Sequence, residues 1–158
     1  MNMRLKVRSG PQADNLWALL VYDEEEPVRA VEQILRDQAI GTRRVRNCYE
    51  AMAVLRHSDQ PALVVTDASL PDGDWADVLK ATRTCTSFLP LVVVSRLADV
   101  RLYLDVMERG AYDFIVPPLA SAEMAYVVSG ALLKRSHQGP GKPTKRLRTI
   151  IGETGEHP

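Results

Sequence analysis

Asp67 stands where the apolar run Ala62-Leu63-Val64-Val65-Thr66 ends, and it leads into Ala68-Ser69-Leu70-Pro71-Asp72-Gly73-Asp74. A carboxylate carried by a buried strand into a Pro/Gly-rich loop is costly unless it is paired or reactive. A second acidic group, Asp23-Glu24-Glu25-Glu26, closes an earlier run, Leu16-Trp17-Ala18-Leu19-Leu20-Val21-Tyr22. If the two strands are parallel neighbours, three or more carboxylates converge at the C-terminal edge of one sheet, where open α/β sheets carry their sites. Such a group suits a hard divalent cation held by oxygens, with one aspartate left exposed for phosphorylation.

The elements that must position these residues follow from the apolar pattern. Strands are predicted at 16–22, 43–47, 62–66, 89–95 and 112–116. The run Leu91-Val92-Val93-Val94 is apolar without alternation, as befits a strand covered on both faces. Arg43-Arg44-Val45-Arg46 is charged and alternates poorly, which places 43–47 at an edge. Helices are predicted at 27–39, 48–57, 74–84, 98–109 and 121–136 from apolar spacing, with Pro27 in a first turn, Asp74 and Ser121 as N-caps and Gly110 as a stop. Five strands alternating with five helices imply an α/β sheet with right-handed crossovers and helices on both faces.

Length and charge bound the rest. A chain of 158 residues with 46% hydrophobic content is one domain with terminal excess. Residues 1–15 are expected to form a flexible N-terminal extension, and 137–158 a basic, flexible tail. The net charge is zero, yet residues 14–133 hold 11 basic and 18 acidic residues. That acidic body suits cation binding. Cys48 and Cys85 are too few for a disulfide framework and read as small, reduced, buried residues. No run approaches a membrane span or a signal peptide, so a cytoplasmic protein is expected.

Four stretches carry a resemblance. They are Leu20 to Arg29, Ala62 to Asp74, Leu91 to Ser95, and Gly110-Ala111-Tyr112-Asp113-Phe114-Ile115-Val116-Pro117-Pro118. In this order, each at a strand end, they resemble the receiver domain of bacterial two-component response regulators, of the chemotaxis-receiver type, over residues 16–136. The resemblance implies a flavodoxin-like, doubly wound five-stranded parallel sheet of order 2-1-3-4-5 with five helices. It implies Asp67 as the phosphoacceptor. Mg²⁺ would be held by Asp23, Glu24, Asp67 and the backbone carbonyl of Ser69. Ser95 would hydrogen-bond the phosphoryl group, and Phe114 would be the aromatic that swings inward. One position departs from the family: its lysine before the last proline is here Pro117, which brings no charge. Arg96, where the family favours a small residue, is a candidate substitute cation through its guanidinium fork.

The resemblance further implies a phosphorelay module that assists its own Mg²⁺-dependent phosphorylation and dephosphorylation and is otherwise not an enzyme. With only residues 137–158 after the last helix, a stand-alone receiver is expected. Its donor would be a sensor histidine kinase or phosphotransfer protein. Its output would be an unidentified protein bound through 98–109, 112–116 and 121–136, or a homodimer. Nucleic acid is not expected as a partner, because the basic tail lacks interleaved aromatics. The alternative is a degenerate pseudo-receiver that binds partners without phosphorylation, which Pro117 supports and the Asp23, Glu24, Asp67 and Ser95 set opposes. A phosphohydrolase on a related fold is disfavoured, since Ser69 stands where a second aspartate would be needed. Plainer roles remain open for several residues: helix-dipole acids for Glu25 and Glu26, surface positions for His57, His137 and His157, and core packing for Trp75, Tyr112 and Phe114.

Overall fold

The computed structural model describes residues 16–137 except Glu25, Pro27, Thr86 and Leu119, and only the backbone of Ser136 and His137. The N-terminal extension 1–15, the tail beyond His137 and the first-turn role of Pro27 lie outside the described residues.

Five strands form one parallel sheet: β1 (Trp17–Val21), β2 (Gly41–Val45), β3 (Leu63–Asp67), β4 (Leu91–Val94) and β5 (Asp113–Ile115), in the order β2-β1-β3-β4-β5. The order is the one the resemblance implies, and the edge position of β2 is as the sequence predicts. The strands are mostly shorter than predicted, and β2 starts two residues early, at Gly41. The charged edge strand has a physical reason. The guanidinium of Arg43 lies 4.2 Å from the ring centroid of Trp17, and that of Arg44 lies 4.1 Å from that of Tyr22. Arginine here covers the aromatic rings at the two ends of β1, Trp17 and Tyr22, and blunts an exposed edge.

The helices are α1 (Val28–Asp37), α2 (Cys48–Leu55), α3 (Trp75–Thr82), α4 (Val100–Glu108) and α5 (Ser121–His137). Asp74 caps α3 as predicted, accepting from the N–H of Ala76 at 2.9 Å, while Asp77 accepts from the N–H of Asp74 at 3.0 Å. The Met124 N–H bonds the Ala120 carbonyl, so α5 opens one residue ahead of the expected cap, Ser121. After α4, Gly110 turns the chain at φ +106°, a conformation L side chains rarely adopt. Among the described residues no helix is long and apolar enough to cross a membrane.

Alternate side chains of β1, β3, β4 and β5 feed two cores. Leu19, Val21, Val64, Val93 and Phe114 pack with α2, α3 and α4 on one face, and Ala18, Leu20, Val65, Val92 and Ile115 with α1 and α5 on the other. Each buried Leu or Val contributes about 1.5–3 kcal/mol relative to exposure. The sheet is therefore a rigid plate whose carboxyl ends are held in register.

Candidate functional site

Register brings the acidic groups together. β1 and β3 pair with Val21 opposite Thr66, and β3 and β4 pair with Asp67 opposite Val94. The residues just past these strands, Asp23 and Glu24, Ala68 and Ser69, Ser95 and Arg96, thus emerge side by side. The loop after Asp67 is closed by a two-residue antiparallel ladder, Ser69 opposite Asp74 and Leu70 opposite Gly73. Asp23, Glu24, Asp67, Ala68, Ser69, Leu70, Ser95 and Arg96 line one open cleft of about 530 Å³, together with Pro71, Leu97, Asp99 and Leu102.

Asp67 is the buried member, with 7% of its surface exposed, whereas Asp23 and Glu24 are exposed. Burial pushes its carboxyl above the ordinary value of 3.8. The backbone N–H of Ala68, the charge of Arg96 and the backbone N–H of Ser69 pull it back, and Glu24 raises it further. Arg96 sits among the acids. Its Nη2 donates to Glu24 Oε1 at 2.8 Å and to the Glu26 carbonyl at 2.8 Å, and lies 3.9 Å from Asp67 Oδ2. Glu24 in turn holds the guanidinium more firmly in its charged form.

Ser95 is buried, and its Oγ serves the local backbone, donating to the Leu97 carbonyl at 3.0 Å and accepting the Leu97 N–H at 3.2 Å. Phe114 is fully buried, edge-on to Tyr103 of α4 with ring centroids 5.7 Å apart. The Pro117–Pro118 bond is cis. Asp23, Glu24, Asp67, Ser69, Ser95 and Arg96 are brought to one place, and Phe114 lies behind them in the core.

Two further residues hold the site, and nothing in the local sequence marks either for it. Arg44 donates to the carbonyls of Tyr22 and Asp23 at 3.2 and 2.8 Å, fixing the acidic loop after β1. Asp72 accepts from the N–H groups of Cys48 and Tyr49 at 2.8 and 3.0 Å, tying the loop after Asp67 to the start of α2. The first is a long-range contact that no local pattern announces. The second was visible only as one acid in a turn-forming Pro-Asp-Gly stretch.

As donors, the Asp23, Glu24 and Asp67 carboxylates and the Ser69 carbonyl are hard oxygens, the set that Mg²⁺ prefers. Among the described residues no three His, Cys, Asp or Glu side chains are gathered closely enough to hold an ion. Arg96 takes up Glu24 instead.

Residues 18–129 match the response regulator receiver domain family. The chain is 23% identical over 149 residues to the DNA-binding transcriptional regulator NtrC of Proteus hauseri, covering 93% of this chain and 31% of that protein. It is 26% identical over 147 residues to the response regulator protein PilR of Pseudomonas aeruginosa, covering 86% of this chain and 33% of that one. It thus spans about a third of the length of these relatives. A receiver domain crystal structure from Clostridium thermocellum superimposes with a TM-score of 0.69 at 14% identity, over 78% of this chain and 99% of that one.

Proposed function

The chain belongs to the response regulator receiver domain family, and on that premise we propose that Asp67 accepts a phosphoryl group from a sensor histidine kinase or phosphotransfer protein. Receiver domains are signalling modules of two-component systems rather than turnover enzymes, and this one shares their flavodoxin-like fold. The observation that carries the reading is the buried Asp67 carboxylate at the end of β3, in one cleft with Asp23, Glu24, Ser95 and Arg96.

An oxygen of Asp67 attacks the phosphorus of the donor phosphohistidine; the P–N bond breaks and its electron pair returns to the imidazole. The transition state spreads charge over the phosphoryl oxygens, so catalysis is positioning and electrostatic stabilisation. Asp23, Glu24, Asp67 and the Ser69 backbone carbonyl would hold Mg²⁺, which supplies positive charge to those oxygens. Arg96 would supply the second cation that Pro117 does not. Ser95 would exchange its bonds to Leu97 for one to a phosphoryl oxygen. Phe114, packed on Tyr103, would carry that change to α4. The output is contact with a protein partner through the face of α4, β5 and α5, and a cytoplasmic setting fits the free thiols Cys48 and Cys85.

The test is intact-mass spectrometry after incubation with Mg²⁺ and acetyl phosphate. Wild type is expected to gain one phosphoryl group and Asp67→Asn none; equal uptake by the variant would sink the assignment. Two observations favour a second reading, the pseudo-receiver: Pro117 brings no charge, and the Ser95 hydroxyl already serves Leu97. A folded wild type that binds Mg²⁺ and takes up nothing would establish that reading instead.

A further inference from the structure

Arg96 is not merely near the acidic cleft; one of its nitrogens is fully committed within it. A guanidinium NH₂ group carries two protons. Those of Nη2 go to Glu24 Oε1 and to the Glu26 carbonyl, each at 2.8 Å, leaving the 3.9 Å approach to Asp67 a charge contact without a hydrogen bond. The bridge joins the loop after β4 to the loop after β1, 72 residues away in sequence. It takes up Glu24, one of the four carboxylates that line the cleft, and it places a positive charge where a divalent cation would collect the same oxygens.

We propose that Arg96 is an internal competitor for the divalent cation, filling the acidic cleft until Mg²⁺ takes Glu24 and releases the guanidinium. A guanidinium bound to Glu24 and 3.9 Å from Asp67 opposes a divalent ion on the same carboxylates, because like charges repel at short range. The exchange is within reach: the Arg96 side chain is half exposed and Glu24 largely so, and exposed pairs of this kind are weak. Arginine is always charged, so the competition does not vanish across the physiological pH range. On the phosphoacceptor reading above, the released Nη2 becomes available to a phosphoryl group on Asp67 only after metal has bound, which would order the two events. The alternative for the same bridge is a purely structural tie between two loops, and it makes a different prediction for metal affinity.

The experiment is Mg²⁺ titration of the full chain by calorimetry and by backbone amide shifts, for wild type and Arg96→Gln. The glutamine variant is expected to bind Mg²⁺ roughly 10-fold more tightly, the loss of one competing exposed pair plus the repulsion. In wild type, the Arg96 side-chain N–H signals are expected to shift with the same midpoint as the amides of Glu24 and Ala68. Equal or weaker affinity in the variant, an unmoved Arg96 signal, or no Mg²⁺ binding by either protein overturns the competition. Failure of the phosphoacceptor reading is separately visible: no mass gain with acetyl phosphate, while the affinity difference persists.

Discussion

Asp67 pays for its position in the fold, and the sign of that cost can be measured. Burial is the largest influence and raises its carboxyl above 3.8, outweighing the Ala68 and Ser69 N–H groups and Arg96. A carboxyl whose folded value is raised binds its proton more tightly folded than unfolded. Its contribution to stability is therefore fully present below the unfolded value and is lost as pH rises through the folded one. Asparagine fills the same space without ionising. Calorimetry is expected to give Asp67→Asn a higher Tm than wild type at pH 7, with the gap closing as pH falls to the ordinary carboxylate value. A lower Tm at pH 7 would mean that the Arg96 contact, at 3.9 Å, outweighs desolvation.

At the scale of elements, the loop after Asp67 and the start of α2 are one unit. The free N–H groups of the first turn of α2 are satisfied in turn: Cys48 and Tyr49 by Asp72, Glu50 by Asn47 at 2.8 Å. Those N–H groups hold the Asp72 carboxyl below its ordinary range, while burial and the neighbouring acids, Asp72 foremost, push the Cys48 thiol up to about 12. Gly73 completes the fit, since a Cβ there would meet the Asp77 carboxylate and lie 3.0 Å from Cys48 Sγ. Asp72→Ala is expected to cost about 1 kcal/mol in urea unfolding, the usual loss for a helix-start acceptor. It should also slow phosphoryl uptake more than that loss explains, because the Ser69 loop is untied; unchanged uptake would confine Asp72 to a capping role.

This coupling marks where the sequence stops being legible. The alternation of strands and helices, the edge position of β2, the Asp74 cap and the placing of Asp23, Glu24 and Asp67 along one cleft follow from local patterns: apolar runs, turn residues and acids at strand ends; the strand order follows from the resemblance to receiver domains. The bonds of Asp72 to α2, of Arg44 to the acidic loop and of Arg96 to Glu24 join residues 21 to 72 positions apart. Such contacts depend on register and rotamer, which no periodicity encodes. Helix and strand ends drifted for a related reason: terminal turns are settled by single hydrogen bonds, as Met124 to Ala120 does for α5.

Across the whole molecule, a short run of contacts leads from the site toward one face. Ser95 exchanges two hydrogen bonds with Leu97, which leads into α4, while Phe114 of β5 packs edge-on against Tyr103 of that helix. Val100 and Leu104, 51% exposed, lie four residues apart as a short apolar stripe on the outside of α4, and Leu97, 72% exposed, adds apolar surface from the loop just before that helix. If a phosphoryl group draws Ser95 away from Leu97, the exposed leucine beside that stripe loses its anchor, and the face changes with no need for the sheet to move. A second copy of the chain is the simplest partner for such a stripe, since a homodimer needs only self-complementary apolar surface. Acetyl phosphate with Mg²⁺ is expected to raise the sedimentation coefficient of wild type to that of a dimer. Leu104→Glu should gain the same phosphoryl mass and remain a monomer, because a charge on the stripe opposes burial without touching the cleft. A wild type that takes up phosphoryl and stays monomeric would exclude the dimer and leave the stripe to a different protein, whereas a Leu104→Glu protein that still dimerises would move the interface off α4 altogether.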